Sequence, residues 1–210
     1  MQGEHDTTDR RRRRRLAVRI SAGLVAFAVV LTAGITAFRV AHEQPPLEVR
    51  GGGVCGGAED GSTGPHLAVS IRYDNRTDRV AHIDRIAAAD LHGLESVHLS
   101  AAVVPPARGD SDQGNAVGPD VRSVAAGHTM GRTSNLSVPV GDGLLVVADM
   151  RLDDHSENGW FTGLTVHWTG SFGTQHRTLL RAGVGLSAPT HLDSCLPVGW
   201  DARWPPRQVS

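Results

Sequence analysis

The chain has 210 residues, with 22 acidic against 21 basic side chains and a formal net charge of −1. Every basic residue is arginine. Without a lysine, Walker-type phosphate loops, kinase nucleotide-binding lysines, pyridoxal Schiff bases and Ser-x-x-Lys acyl enzymes are all excluded.

The charge is unevenly placed. Residues 1–19 form a basic head with seven arginines (Arg10 to Arg15 and Arg19) against Glu4, Asp6 and Asp9, and the next 19 residues, Ile20 to Phe38, carry no charge. At about 1.5 Å per residue such a helix covers roughly 28 Å, the thickness of a bilayer's hydrocarbon core, so residues 20–38 are predicted to cross a membrane once. A helix buried in a soluble protein would keep a polar stripe. Only Arg39 flanks the far end, so the positive-inside rule places the head in the cytoplasm and the rest of the chain outside. The alternative is a cleaved export signal. Against it, the run is longer than the usual apolar region of about 7–15 residues. The candidate cleavage sites are also poor: cutting after Ala41 puts Arg39 at the −3 position, and cutting after Ala37 puts Ile35 there.

Beyond residue 39 there are 13 arginines and 19 acidic residues, a net charge of minus six that argues against nucleic-acid binding. One domain is expected over 65–198, after a Gly/Pro stalk over 39–64 and before an irregular tail over 199–210. Pro45-Pro46 bars helix continuation, and glycines 51–53 and 56–57 surround Cys55. Residues 47–50 suit a short first strand.

From Leu67 the period becomes two: Leu67, Val69, Ile71 and Tyr73 alternate with smaller or polar residues, the pattern of a half-buried strand. Residues 74–78 form a polar turn, and residues 80–87 read as the return strand of a first hairpin. The sequons Asn75-x-Thr77 and Asn135-x-Ser137 are read as turn residues. Val97, Leu99, Ala101 and Val103 make the next strand, closed by Pro105-Pro106. The Gly-, Asp- and Ser-rich stretch 107–119 is predicted to be a surface loop without a core contribution. Residues 121–124 and 136–140 are short strand candidates. The strongest strand follows, with Leu144, Val146, Ala148, Met150 and Leu152 on one face.

After the Asn158-Gly159 turn signal, Leu164, Val166 and Trp168 alternate with Thr165, His167 and Thr169, and residues 170–174 turn the chain back. Opposed residues in a hairpin share a face, so pairing Val166 with Thr178 also pairs Leu164 with Leu180 and Trp168 with His176. A slip of one residue would bury Arg177 beside Val166. Residues 184–188 suit a final strand, and 87–94 is the one stretch with room for a helical turn. These seven to nine strands, with turn signals every 8–15 residues, predict an all-β fold: an antiparallel immunoglobulin-like β-sandwich behind one N-terminal transmembrane helix.

The arrangement of a basic head and anchor over Arg10 to Phe38, a Gly/Pro stalk, the Tyr73-Asp74-Asn75 strand end and the hairpin from Gly159 to Thr178 resembles single-pass membrane-anchored proteins of GC-rich bacteria with an immunoglobulin-like extracytoplasmic domain. The resemblance is architectural and implies no catalytic residues.

Three constellations bear on chemistry. Asp154, Ser156 and Asn158, followed by Gly159, place oxygen ligands as in the front half of a calcium loop, but Thr165 stands where a bidentate Glu is needed. Eleven histidines invite a transition metal, yet no His-x-x-x-His or His-Glu-x-x-His occurs, and the hairpin register sends His167 and His176 to opposite faces. No Gly-x-Ser-x-Gly elbow supports serine hydrolase chemistry. The only cysteines, Cys55 and Cys195, lie near the two ends of the folded region and are expected to form an intramolecular disulfide; a bond between two chains or two buried thiols are the alternatives. The function expected is non-catalytic and needs no cofactor. The chain contacts membrane lipid through residues 20–38 and binds another envelope protein, a cell-wall polymer or a small ligand through loops such as 107–119. The alternatives are a metal-dependent or hydrolytic ectoenzyme, or a small accessory subunit whose helix packs through Gly23, Ala26 and Gly34.

Overall fold

The computed structural model describes residues 27–38, 43–49, 54–57, 59–61, 64–107 and 115–188. The chain divides into two compact units, Met1–Gln44 and Pro45–Ser210. In the first, residues 27–38 are helical (α1), and the Thr32 and Thr36 hydroxyls donate to the carbonyls four residues back at 2.7 and 2.8 Å. This is how a hydroxyl is satisfied on an apolar helix. Among the described residues no helix is long and apolar enough to cross a membrane; residues 20–26 of the expected span lie outside them.

The second unit is all-β, with strands β1 (Leu47–Val49), β2 (Val54–Gly57), β3 (Glu59–Gly61), β4 (Gly64–Asn75), β5 (Ala81–Ala89), β6 (Leu94–Val104), β7 (Ala116–Gly118), β8 (Ser134–Val138), β9 (Gly143–Leu152), β10 (Asn158–Thr169) and β11 (Gln175–Ser187), and one short helix, α2 (Val121–Val124). The first sheet runs β1-β4-β9-β6, and β3, β7 and β1 take successive stretches along β4. The second sheet runs β2-β11-β10-β5-β8, with β2 parallel to β11. Strand alternation aims Leu67, Val69, Ile71 and Tyr73 of β4 and Leu144, Val146, Ala148 and Met150 of β9 into the same buried cluster as Ile83 of β5, Leu164 and Val166 of β10, and Val184 and Leu186 of β11. Both sheets therefore share one core.

The β10–β11 hairpin has the register the sequence predicts: Leu164 opposes Leu180, Val166 opposes Thr178, and Trp168 opposes His176. Trp168 stacks on His176, with ring centroids 4.3 Å apart, and its indole N–H donates to the Thr178 hydroxyl at 3.1 Å.

Six expectations are corrected. Residues 67–73 and 80–87 do not form a hairpin: β4 pairs with β9 in the first sheet, whereas β5 pairs with β10 and β8 in the second. Asn75 turns the chain from one sheet to the other, and its buried amide spends its hydrogen bonds there. Its Nδ2 donates to the carbonyls of Arg79, Val138 and Pro139 at 2.9–3.1 Å, and its Oδ1 accepts from the backbone and hydroxyl of Thr77. Residues 121–124 form α2 rather than a strand, because Asp120 and Ser123 cap it reciprocally. The predicted loop 107–119 contains β7, and its residues 108–114 lie outside the described residues. The helical turn for which 87–94 has room is absent, replaced by the end of β5, Asp90 at φ 51° and an antiparallel bridge from His92 to Trp160. The final strand expected at 184–188 is the continuation of β11. The predicted stalk contributes β1, β2 and β3 to the sheets, while its residues 50–53 and the tail 199–210 lie outside the described residues.

Candidate functional site

On β9 the side chains facing away from the shared core are those of Leu145, Val147, Asp149 and Arg151. The first two are buried, and Val147 lies beneath α2, where it and Ala68 form a second apolar cluster with Val124, flanked by Val121 and Met130. α2 sits where the outer face is apolar, and the polar end of the same face stays open to solvent. There the register sets His98 of β6 opposite Asp149 and sets both His66 of β4 and Ser96 of β6 opposite Arg151. A β-bulge between Leu94 and Ser96 adds Glu95, whose carboxylate meets Arg151 at 3.4 Å.

These residues line a cavity of about 290 Å³. It presents two carboxylates, a guanidinium, two imidazoles and a hydroxyl, so it offers hydrogen-bond donors and acceptors of both charges across three adjacent strands. Directly opposed side chains in an antiparallel pair stand about 5 Å apart at Cβ, which puts His98 and Asp149 within reach of one ligand. Ser96, His98 and Asp149 include the residue types of a hydrolytic triad, but among the described residues no hydrogen bond joins the three. Below the cavity the same face is closed by a buried pair: Arg72 Nε donates to Asp74 at 2.9 Å, and Nη2 donates to the Pro105 carbonyl at 2.7 Å.

Of the residues singled out from the sequence, His98 lines this cavity and those of the calcium-like turn lie elsewhere. Asp154, exposed, and Ser156 occupy the β9–β10 turn, which is closed by its own backbone: Ser156 N–H donates to the Asp153 carbonyl at 3.0 Å, and His155 N–H donates to the Asp153 carboxylate at 3.2 Å. Asn158 opens β10 opposite Ser187, against Gly93. Among the described residues no group of three His, Cys, Asp or Glu side chains converges to hold a metal ion. His82 lies on β5 in the second sheet, His92 stacks on Trp160 at 5.1 Å, and His98 lies on β6 in the first sheet, so these three sit in separate places. Cys55 lies on β2 beside Gly185, and its thiol is not free; Cys195 lies outside the described residues. Sequence reasoning did not single out His66, Glu95, Ser96 or Arg151. Their shared face follows from the pairing of β9 with β4 and β6, and that pairing joins strands far apart in the chain.

No family model and no curated protein match the chain. Among solved structures it is similar to a family 123 glycoside hydrolase from Clostridium perfringens, described with the hydrolysis of glycolipid glycans, at 9% identity and a TM-score of 0.36. The match covers 65% of this chain and 22% of that one, so the chain spans about a fifth of that enzyme. A likeness at this level carries no argument about activity.

Proposed function

We propose that the protein is a membrane-anchored binding domain of the cell envelope, an immunoglobulin-like β-sandwich held outside the membrane by one N-terminal helix, that performs no chemistry of its own. Its location rests on the arginine asymmetry around residues 20–38. The binding reading rests on one observation: the groove over β4, β9 and β6 gathers polar groups of both charges on one sheet, and among the described residues they are not linked into a nucleophile, base and orienter. Such a surface suits a hydrogen-bonding partner, either another envelope protein or a cell-wall polymer.

Crosslinked pull-down from native membranes tests the reading, comparing the full chain with a variant carrying Asp149→Ala and His98→Ala. The partner captured by the parent should be lost from the variant; equal capture by both overturns the groove as the binding surface. Protease added to intact spheroplasts should digest the domain, and digestion only after lysis reverses the topology. The competing reading, a hydrolytic ectoenzyme, draws on Ser96, His98 and Asp149 sharing one face. Covalent labelling of Ser96 by a serine-directed fluorophosphonate would favour it.

A further inference from the structure

The outer face of the second sheet has a different character from the groove. Its register sets Arg177 of β11, His167 of β10 and Arg85 of β5 in one row, and Arg181 lies four residues along β11 on the same face. All three arginines are exposed, and among the described residues none of them is ion-paired. Of the carboxylates on β5 and at its end, Asp84 accepts from the Thr169 hydroxyl at 3.0 and 3.2 Å, and the exposed Asp90 accepts from the Thr162 hydroxyl at 2.8 Å. Leu179 stands between Arg177 and Arg181 and is 40% exposed. At the tip of the same hairpin Phe172 is 80% exposed and holds φ 61°. A bulky side chain in the left-handed region carries a backbone cost, and burial within the domain does not offset it at this position. The part of the chain beyond residue 39 is acidic overall, so this face is the one an anionic surface would attract.

We propose that this face docks on anionic phospholipid, with Arg85, Arg177 and Arg181 meeting headgroup phosphates while Phe172 and Leu179 enter the interfacial layer. The proposal rests on the membrane-anchored reading, which keeps the domain within reach of a bilayer. A soluble polyanion would satisfy the arginines but would leave Phe172 and Leu179 in water, and that difference favours lipid. Each arginine near an anionic bilayer favours association about fivefold, so three together favour it roughly a hundredfold.

The test uses the full chain in nanodiscs, with phenylglyoxal modification of each arginine followed by mass spectrometry. In discs containing phosphatidylglycerol, Arg85, Arg177 and Arg181 should react at least about threefold more slowly than in phosphatidylcholine discs, and high salt should remove the difference. Arg151, on the outer face of the other sheet, should react equally in both. Phe172→Ala should weaken the protection. Equal rates in the two lipids overturn the proposal, as does equal protection by added polyphosphate that Phe172→Ala leaves unchanged, which would make a soluble polyanion the partner. Flotation with phosphatidylcholine vesicles in high salt reports on the anchor alone. If the chain fails to float, the anchored reading fails, and the same arginine modification with preformed phosphatidylglycerol vesicles still decides the docking face.

Discussion

Asn75 has no exposed surface, and its amide makes five hydrogen bonds to four residues in two segments of chain, a role no other side chain of similar size could take. Asn75→Ala would leave the carbonyls of Val138 and Pro139 without their donor, and a loss of about 3 kcal/mol in urea unfolding is expected. Asn75→Asp should cost at least as much, since it places a carboxylate against those carbonyls; a loss below about 1 kcal/mol for either would show the corner is held by other means. Burial also removes Asn75 from consideration as a glycosylation acceptor.

Tyr73, the chain's one tyrosine, is fully buried with its hydroxyl unpartnered among the described residues, and desolvation raises its pKa far above the usual phenol range. The folded phenol stays neutral where the unfolded one ionises. Its contribution to stability is therefore complete below the ordinary value of 10.0 and is lost at about 1.4 kcal/mol per pH unit above it. Ultraviolet titration reads this residue alone and should show no phenolate until the protein unfolds. Tyr73→Phe should be neutral or stabilising and should remove that alkaline slope.

Among the elements, α2 acts as a cover. Val124 closes the outer face over Val147 and Ala68, so Val124→Ala should cost about 1–2 kcal/mol with an unchanged denaturant m-value. A changed m-value would mean that the segment detaches before the sheet unfolds. How far such elements can be read from sequence depends on whether their signal is local. The β10–β11 register was legible because Arg177 cannot lie beside Val166, and the core face of β9 was legible from alternation alone. α2 was not, since four residues are too few for a helical period and only its Asp120 and Ser123 cap marks it. β5 was misassigned because a polar turn looks the same whether it returns a strand to its own sheet or passes it to another. The groove shared that limit: the outward position of Asp149 and Arg151 could be read, but the identity of the strands beside them could not.

For the whole molecule, two faces of opposite character lie on the two sheets, one a mixed-charge groove and one a cationic face with apolar residues beside it. A bond from Cys55 to Cys195 would close a loop of about 140 residues and tie down β2, which pairs with the last strand. On the chain-entropy model, reduction should lower stability by up to about 5 kcal/mol, measured by thermal unfolding with and without reductant. Two alkylatable thiols in the unreduced, denatured protein, or a dimer band that reductant abolishes, would show that this bond is not formed within the chain.

The passage of the chain between sheets at Asn75 also sets an order of events in time. Ser70 must find Val147, 77 residues away, and Arg85 must find His167, 82 residues away, whereas Leu164 and Leu180 are only 16 apart. Loop closure favours the short separation, so the β10–β11 hairpin should form early and the first sheet should assemble late, with folding in the millisecond-to-second range of non-local β proteins. Leu180→Ala should then chiefly slow refolding and Asn75→Ala chiefly speed unfolding; the reverse partition in stopped-flow chevrons would place the nucleus in the first sheet. Until that sheet closes, β9, apolar on both faces from Leu144 to Ala148, has neither β4 nor β6 beside it, and this stretch is where a nascent chain most needs protection from its neighbours.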